Sequence, residues 1–320
     1  MTLPPTLARS VTLSKDQQRK SGLLATLWRY RLLYFMILLP LSYYLIFIVY
    51  PWAGNVVAFK KLNLALGIWG SPWNGLTNFE KLFRDPMFRR ALRNTVQIGA
   101  LKLVLVFPAP ILLALFINEI KSMTYKRTIQ TIFYIPYFLS WVIYAAILYI
   151  LLSPATGMIN QLMALLGMEK ITFFQRPEWF KPIVVTSSIL KDSGWGAIIY
   201  LATISTIDPT LYEAAVMDGA DRWQLMRYVT LPGLSLTIIT LFILQIGYFL
   251  NVGFTQIFVL QNNVILSTAD ILGTYIYRIG IQRARFDYST AAGLFNSVVG
   301  MTMVIIADRL AKKFDHPGIF

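Results

Sequence analysis

The residues of this chain that could do chemistry are few. Cysteine is absent and His316 is the one histidine, so thiolate or imidazole metal sites and nucleophile–histidine pairs have almost no side chains to draw on. No Gly-x-x-x-x-Gly-Lys-Ser/Thr stretch occurs, which excludes a Walker-type phosphate cradle on this polypeptide. What remains is hydrogen-bonding capacity and charge set inside apolar sequence. Lys191 and Asp192 interrupt a hydrophobic run. A charge in a membrane segment is costly and usually faces a cavity or a partner. The pair reads either as solute contacts, with Lys191 facing an anionic group, or as the outer rim of a span that starts late. Lys102 is similar, and could snorkel or pair with another subunit. Gln245, Tyr248, Asn251 and Gln256 recur at roughly helical spacing, with Trp195, Tyr200 and Asn296 in neighbouring stretches. Aromatic faces, amides and hydroxyls are the groups that hold polar organic solutes. They are equally the groups that hydrogen-bond one membrane helix to another.

The elements that must position these residues are set by composition. Of 320 residues, 56% are hydrophobic and only 14% charged, against about 25% charged in a soluble domain. So few charges cannot cover a water-facing surface. The formal charge of +14 then points to headgroup-facing loops rather than nucleic acid, since no nucleic-acid module is visible. Six apolar stretches approach the ~20 residues of a spanning helix. They run over about 32–52, 94–118, 129–152, 183–207, 234–260 and 288–307. The pattern predicts an all-α polytopic membrane protein: a polar tail (1–31), a membrane domain (32–310) and a short C-terminal tail (311–320). Six spans put both termini on one side. Lys121, Lys126 and Arg127 in one tight loop, and Arg309, Lys312 and Lys313 after the last span, favour the cytoplasm. Pro108, Pro110 and Pro136 are expected to kink the second and third spans. Asp85 before Pro86 fits a helix cap. Arg84, Arg89 and Arg90, with Lys81 and Arg93, form a basic strip beside the second span. It reads as a docking face for an acidic partner or as a solvated face anchored at headgroups.

The segment 208–232 is the most informative. Asp208 can cap a helix with Pro209 at its first position, continuing through Glu213-Ala214-Ala215. Gly219 can end it in a left-handed conformation. Asp221 can cap a second short helix carrying Arg222, Trp223 and Leu225, and Leu231-Pro232 leads into the fifth span. Such a piece cannot bury itself, and the small Ala214 and Ala215 let another surface come close.

This segment resembles the coupling (EAA) loop of the membrane-spanning subunits of ATP-binding-cassette importers. That pattern is Glu-Ala-Ala, three residues, Gly, nine residues, Ile, one residue, Leu-Pro. Here it reads Glu213-Ala214-Ala215, Gly219, Val229 in place of Ile, Leu231-Pro232. Asp218-Gly219-Ala220 and Tyr212 are similar to the sugar and oligosaccharide branch, as are Tyr50-Pro51, Gly75-Leu76-Thr77-Asn78-Phe79 and Ile135-Pro136-Tyr137. Ala58-Phe59-Lys60 and Asp85-Pro86 resemble permeases for uronic-acid oligosaccharides such as aldouronates or alginate. The resemblance spans about residues 30–310.

It implies a type I importer permease fold with the coupling loop in the cytoplasm of a bacterial cell. The implied partners are a second permease, identical or homologous, two ATPase subunits and an extracytoplasmic solute-binding protein. The chain itself would be no enzyme, with ATP and Mg2+ bound only by the ATPases. Glu213, Ala214, Ala215, Asp218, Gly219, Arg222, Trp223, Leu231 and Pro232 would then serve coupling. Lys191, Asp192, Trp195, Tyr200, Tyr248, Asn251, Gln256 and Asn296 are candidates for the solute path. Arg84, Arg89 and Arg90 are candidates for binding-protein docking. The rival reading is a secondary transporter of a small polar solute driven by an ion gradient. Discontinuous helices and inverted repeats would mark it, and no repeat is evident.

Overall fold

The structure is a computed structural model and describes residues 28–313. His316, most of the expected N-terminal tail and the last residues of the C-terminal tail lie outside the described residues. The chain divides into two units, 1–56 and 57–320. Helix α1 (Arg31–Phe59) begins in the first unit, just before the expected span, and its last residues, 57–59, fall in the second; none of its residues through Trp52 is buried.

The second unit is helical, and among the described residues its extended pairing is limited to one bridge, Lys60 with Trp73. Its principal helices are α2 (Pro86–Asn118), α3 (Met123–Phe138), α4 (Trp141–Leu151), α5 (Pro177–Ile204), α6 (Pro209–Met217), α7 (Arg222–Gly247), α8 (Phe254–Leu260), α9 (Leu272–Tyr277) and α10 (Phe286–Lys313). Among the described residues, four helices (α1, α2, α7 and α10) are long and apolar enough to cross a membrane; a fifth crossing follows if α3 and α4 are one bent span. The remaining expected span corresponds to α5. It is 28 residues long, but Lys181, Lys191, Asp192 and a run of serines dilute its apolar character.

Proline leaves a repeated mark. Three π-turns, Leu45–Val49, Lys102–Val106 and Met226–Thr230, each end two residues before a proline, namely Pro51, Pro108 and Pro232. Proline lacks an N–H and its ring crowds the carbonyl one turn earlier. A widened turn relieves that crowding without ending the helix. The third expected span is treated differently. It breaks at Leu139-Ser140, where α3 and α4 meet at 105°. The break lies after Pro136. Ser140 restarts the chain as an N-cap, its hydroxyl accepting from the Ile143 N–H at 3.3 Å.

Two further boundaries depart from expectation. The fifth expected span, 234–260, is not one helix: α7 stops at Gly247, residues 248–253 run irregularly, and α8 follows. The second helix of the 208–232 segment is not short either. It continues through the π-turn into α7 as one rod from Arg222 to Gly247.

The core has three apolar clusters. One joins α2, α4, α5 and α8 through Ile98, Ala145, Val184 and Ile257. A second, toward the ends carrying the 53–93 and 261–285 loops, gathers Leu82, Phe88, Leu272, Tyr275 and Tyr288. A third, toward the segment 208–232, packs Ile111, Leu115, Ala197, Tyr200 and Leu234. The closest helix contact is at Gly194 of α5, where a Cβ would overlap the Phe133 carbonyl of α3.

Polar bolts hold the loops to this core. Asp85 caps α2 by accepting from the Met87 N–H at 2.8 Å, as its place before Pro86 suggested. Its other oxygen accepts from the Tyr275 hydroxyl at 2.6 Å. Burial, followed by that bond to Asp85, pushes the Tyr275 phenol well above its ordinary pKa. Asp270 is fully buried and receives Arg278 in a bidentate pair at 2.9 and 2.6 Å. The bond from Arg278 to Asp270 raises the guanidinium pKa further.

Candidate functional site

A cavity of about 500 Å³ opens between α2, α5, α7 and the irregular segment 248–253. Each helix contributes one face. Lys102, Val106 and Pro110 recur at four-residue spacing on α2; Ser188, Asp192, Gly196 and Tyr200 do so on α5; Leu241, Gln245 and Tyr248 follow α7 to its end. The wall is mostly apolar, with a few convergent polar groups, as solute sites are.

The expected path residues separate into two sets. Asp192, Tyr200, Tyr248, Asn251 and Gln256 are on the wall. Lys191, Trp195 and Asn296 are not, and each has a packing task instead. Lys191 lies off the cavity wall. It is only 4% exposed and closes the break between α3 and α4. Its ammonium donates to the Tyr137 carbonyl at 2.7 Å and the Pro136 carbonyl at 3.1 Å. It also lies 5.3 Å from the ring centres of both Tyr137 and Trp141. These carbonyls end α3 and lack their usual partners one turn on, so a cation at a helix C-terminus is doubly favoured. Trp195, one turn along the same face, stacks on Tyr137 with centroids 4.7 Å apart and planes 3° apart. Asn296 donates to the Asn251 Oδ1 at 3.2 Å and ties α10 to the irregular segment.

Gln256 touches the cavity, yet all four of its amide valences are taken. Its Nε2 donates to the Val184 carbonyl at 2.8 Å and to Ser187 Oγ at 2.9 Å. Its Oε1 accepts from Lys102 Nζ at 2.7 Å and Ser188 Oγ at 3.2 Å. A primary amide has two donors and two lone pairs, so Gln256 fastens α8 to α2 and α5. Lys102 donates to the Val252 carbonyl at 2.8 Å as well. It thereby holds the irregular segment where α7 has ended. The signal for Lys102 was present in the sequence as a lone cation in the second span; its partners, from residues 150 and more positions away, were not.

The segment 208–232 is built from local rules. Asp208 accepts from the Thr210 N–H at 2.9 Å, capping α6. That backbone bond holds the Asp208 carboxyl below its ordinary pKa. Gly219 has φ +83°, the left-handed turn expected there. Asp221 and Gln224 form a capping box with both bonds at 2.8 Å. The Tyr212 hydroxyl meets Thr230 Oγ1 at 3.0 Å, joining α6 to the π-turn at the root of α7. Glu213, Ala214, Asp218, Arg222 and Pro232 are exposed, while Ala215 and Leu231 are half-buried. Apolar side chains protrude beside them: Met217 is 87% exposed and Trp223 64%. A second cavity, of about 770 Å³, lies between α3, α5 and α6, with Lys126, Gln130, Tyr134 and Glu213 in its wall.

Of the basic strip, Arg84 and Arg89 are exposed. Arg90 is drawn inward, its guanidinium 3.9 Å from the buried Asp270 carboxylate, so it is partly committed to the loop core. Among the described residues no group of three or more His, Asp or Glu side chains could hold a metal ion.

Residues 106–316 match the family described as binding-protein-dependent transport system inner membrane component. The chain belongs to this family. It is a multi-pass permease of an ABC importer, a transport component rather than a catalyst. It is similar to Protein LplB of Bacillus subtilis (strain 168), with 45% identity over 93% of each chain. The polygalacturonan/rhamnogalacturonan transport system permease protein YteP of the same organism is 44% identical over 95% of each. Among solved structures, a chain of the bacterial alginate ABC transporter, crystallised with an alginate pentasaccharide-bound periplasmic protein, superposes with a TM-score of 0.87. It is 41% identical, and the match covers 93% of this permease and 99% of that chain. The family match, with YteP named as a transport system permease, sets aside the ion-gradient reading.

Proposed function

We propose that this permease forms, with a second permease, the membrane path of an importer for acidic oligosaccharides built from uronic acids. The observation that carries this reading is the near end-to-end likeness to a permease chain of the alginate transporter. The similarity to YteP, whose name specifies polygalacturonan and rhamnogalacturonan, supports the same solute class. An extracytoplasmic binding protein delivers the solute, and two ATPase subunits on the cytoplasmic side supply the drive. The membrane domain has six spans, α3–α4 and α5 each counting as one, with both chain ends in the cytoplasm.

The capped, exposed helix α6 is the natural handle for an ATPase. Glu213 offers a carboxylate for a basic partner, Ala214 and Ala215 permit close approach, and Met217 and Trp223 supply apolar area. Asp218, Gly219 and Arg222 shape the turn into α7. Because α7 is one rod from Arg222 to Gly247, movement of the handle passes straight to the cavity wall at Leu241 and Gln245. Arg84 and Arg89 face the delivering protein. The test is reconstitution of the full complex in liposomes. Uptake of an oligouronate should require ATP and the binding protein. Glu213→Ala should lower uptake per ATP hydrolysed while insertion stays normal. Uptake without nucleotide would refute the reading.

A further inference from the structure

The cavity contains a cation that its neighbours use only in part, and this has a chemical consequence. The Lys102 ammonium has three N–H donors. One goes to the Val252 carbonyl and one to Gln256 Oε1. Among the described residues no acceptor takes the third. The lysine is a wall residue of the cavity. Gly253 lines the same cavity beside it. Asp192 faces the same cavity from α5. It is electrostatically coupled to Lys102, yet no ion pair or hydrogen bond to it forms among the described residues. Cation and carboxylate thus share one chamber without closing on each other.

We propose that Lys102 and Asp192 form a uronate subsite, in which the Lys102 ammonium takes the sugar carboxylate and Asp192 accepts hydroxyls from neighbouring ring carbons. The chemistry of a uronic acid matches the pair. It carries an anion and, within one ring, hydroxyl donors. A neutral sugar satisfies Asp192 but offers the ammonium only a neutral oxygen in place of a charge-assisted bond, whereas a lone small anion satisfies Lys102 and is repelled by Asp192. Lys191, the cation the sequence put forward for this task, is spent on the α3–α4 break. The subsite rests on the acidic-oligosaccharide reading above and adds to it the residues that select the charge.

The test compares two solutes in the reconstituted complex: an oligouronate and its carboxyl-reduced neutral counterpart, each delivered by a binding protein loaded with it. Lys102→Gln should lower the ratio of acidic to neutral uptake about tenfold or more, the usual scale for losing a hydrogen bond to a charged group. Lys102→Arg should keep most of the ratio, because it keeps the charge. Asp192→Asn should lower uptake of both solutes, the neutral one more, because the lost charge no longer repels the sugar carboxylate; the ratio of acidic to neutral uptake should therefore not fall. Equal losses of both solutes in Lys102→Gln, restored by neither charge nor size, would make Lys102 a structural bolt only and overturn the proposal. So would an unchanged ratio. If the unsubstituted complex itself shows no preference for the acidic solute, the failure lies with the solute reading. That outcome appears before any variant is measured.

Discussion

Replacing Lys191 by methionine separates a packing role from a transport role. Methionine keeps the apolar stem and removes the three donors. The structure assigns two of these to the Tyr137 and Pro136 carbonyls, at 2.7 and 3.1 Å. Hydrogen bonds between membrane helices are worth ~0.6–1.7 kcal/mol each. Two such bonds, with some loss of attraction to the Tyr137 and Trp141 rings, sum to about 1–3 kcal/mol. The charge-assisted character places the value toward the upper end. A loss of that size lowers the thermal midpoint of the detergent-solubilised complex by roughly 2–6 °C. The fall should be the same with and without solute. Lys191→Arg should recover part of it, since a guanidinium can still donate to the exposed end of α3. Uptake by the surviving complex should keep its preference among solutes. An unchanged midpoint together with a selective loss of acidic-solute uptake would refute this reasoning and return Lys191 to the solute path.

Other outcomes follow from the same geometry. Gly194→Ala forces a methyl group into the Phe133 carbonyl; a cost of about 1–3 kcal/mol is expected for such overpacking, read as reduced yield of folded protein and a lower midpoint. Asp270→Asn breaks a pair whose acid is fully buried. A loss of about 3 kcal/mol, at the low end for buried pairs because Arg278 keeps some access to water, should loosen α9 and be visible as faster hydrogen exchange there. The Asp208 cap depends on pH in a defined sense. Its folded pKa lies below the ordinary value of 3.8. The cap's contribution is therefore complete above that value and is lost as the pH falls through the lower folded one. Exchange of the Thr210 amide should quicken in that range, and Asp208→Ala should remove the pH dependence.

The segment 208–232 was legible because its rules are local. Asp208 before Pro209, Gly219 in a left-handed turn and the Asp221–Gln224 box all depend on residues within four positions of one another. Length and apolarity likewise revealed the membrane helices, since the bilayer sets both. Other features were beyond local rules. The apolar run through 234–260 gives no sign that the helix stops at Gly247. That break is sustained from outside, by Lys102 reaching the Val252 carbonyl and by Gln256 held between α2 and α5. The same holds for the two charged neighbours in α5. Adjacent positions on a helix point about 100° apart, so Lys191 turns to the ends of α3 and α4 while Asp192 turns to the cavity. The sequence by itself determined that charges and amides interrupt long apolar runs. Which of them line the cavity was decided only by tertiary structure, because a hydrogen-bonding group has few valences and the folded neighbours claim theirs first.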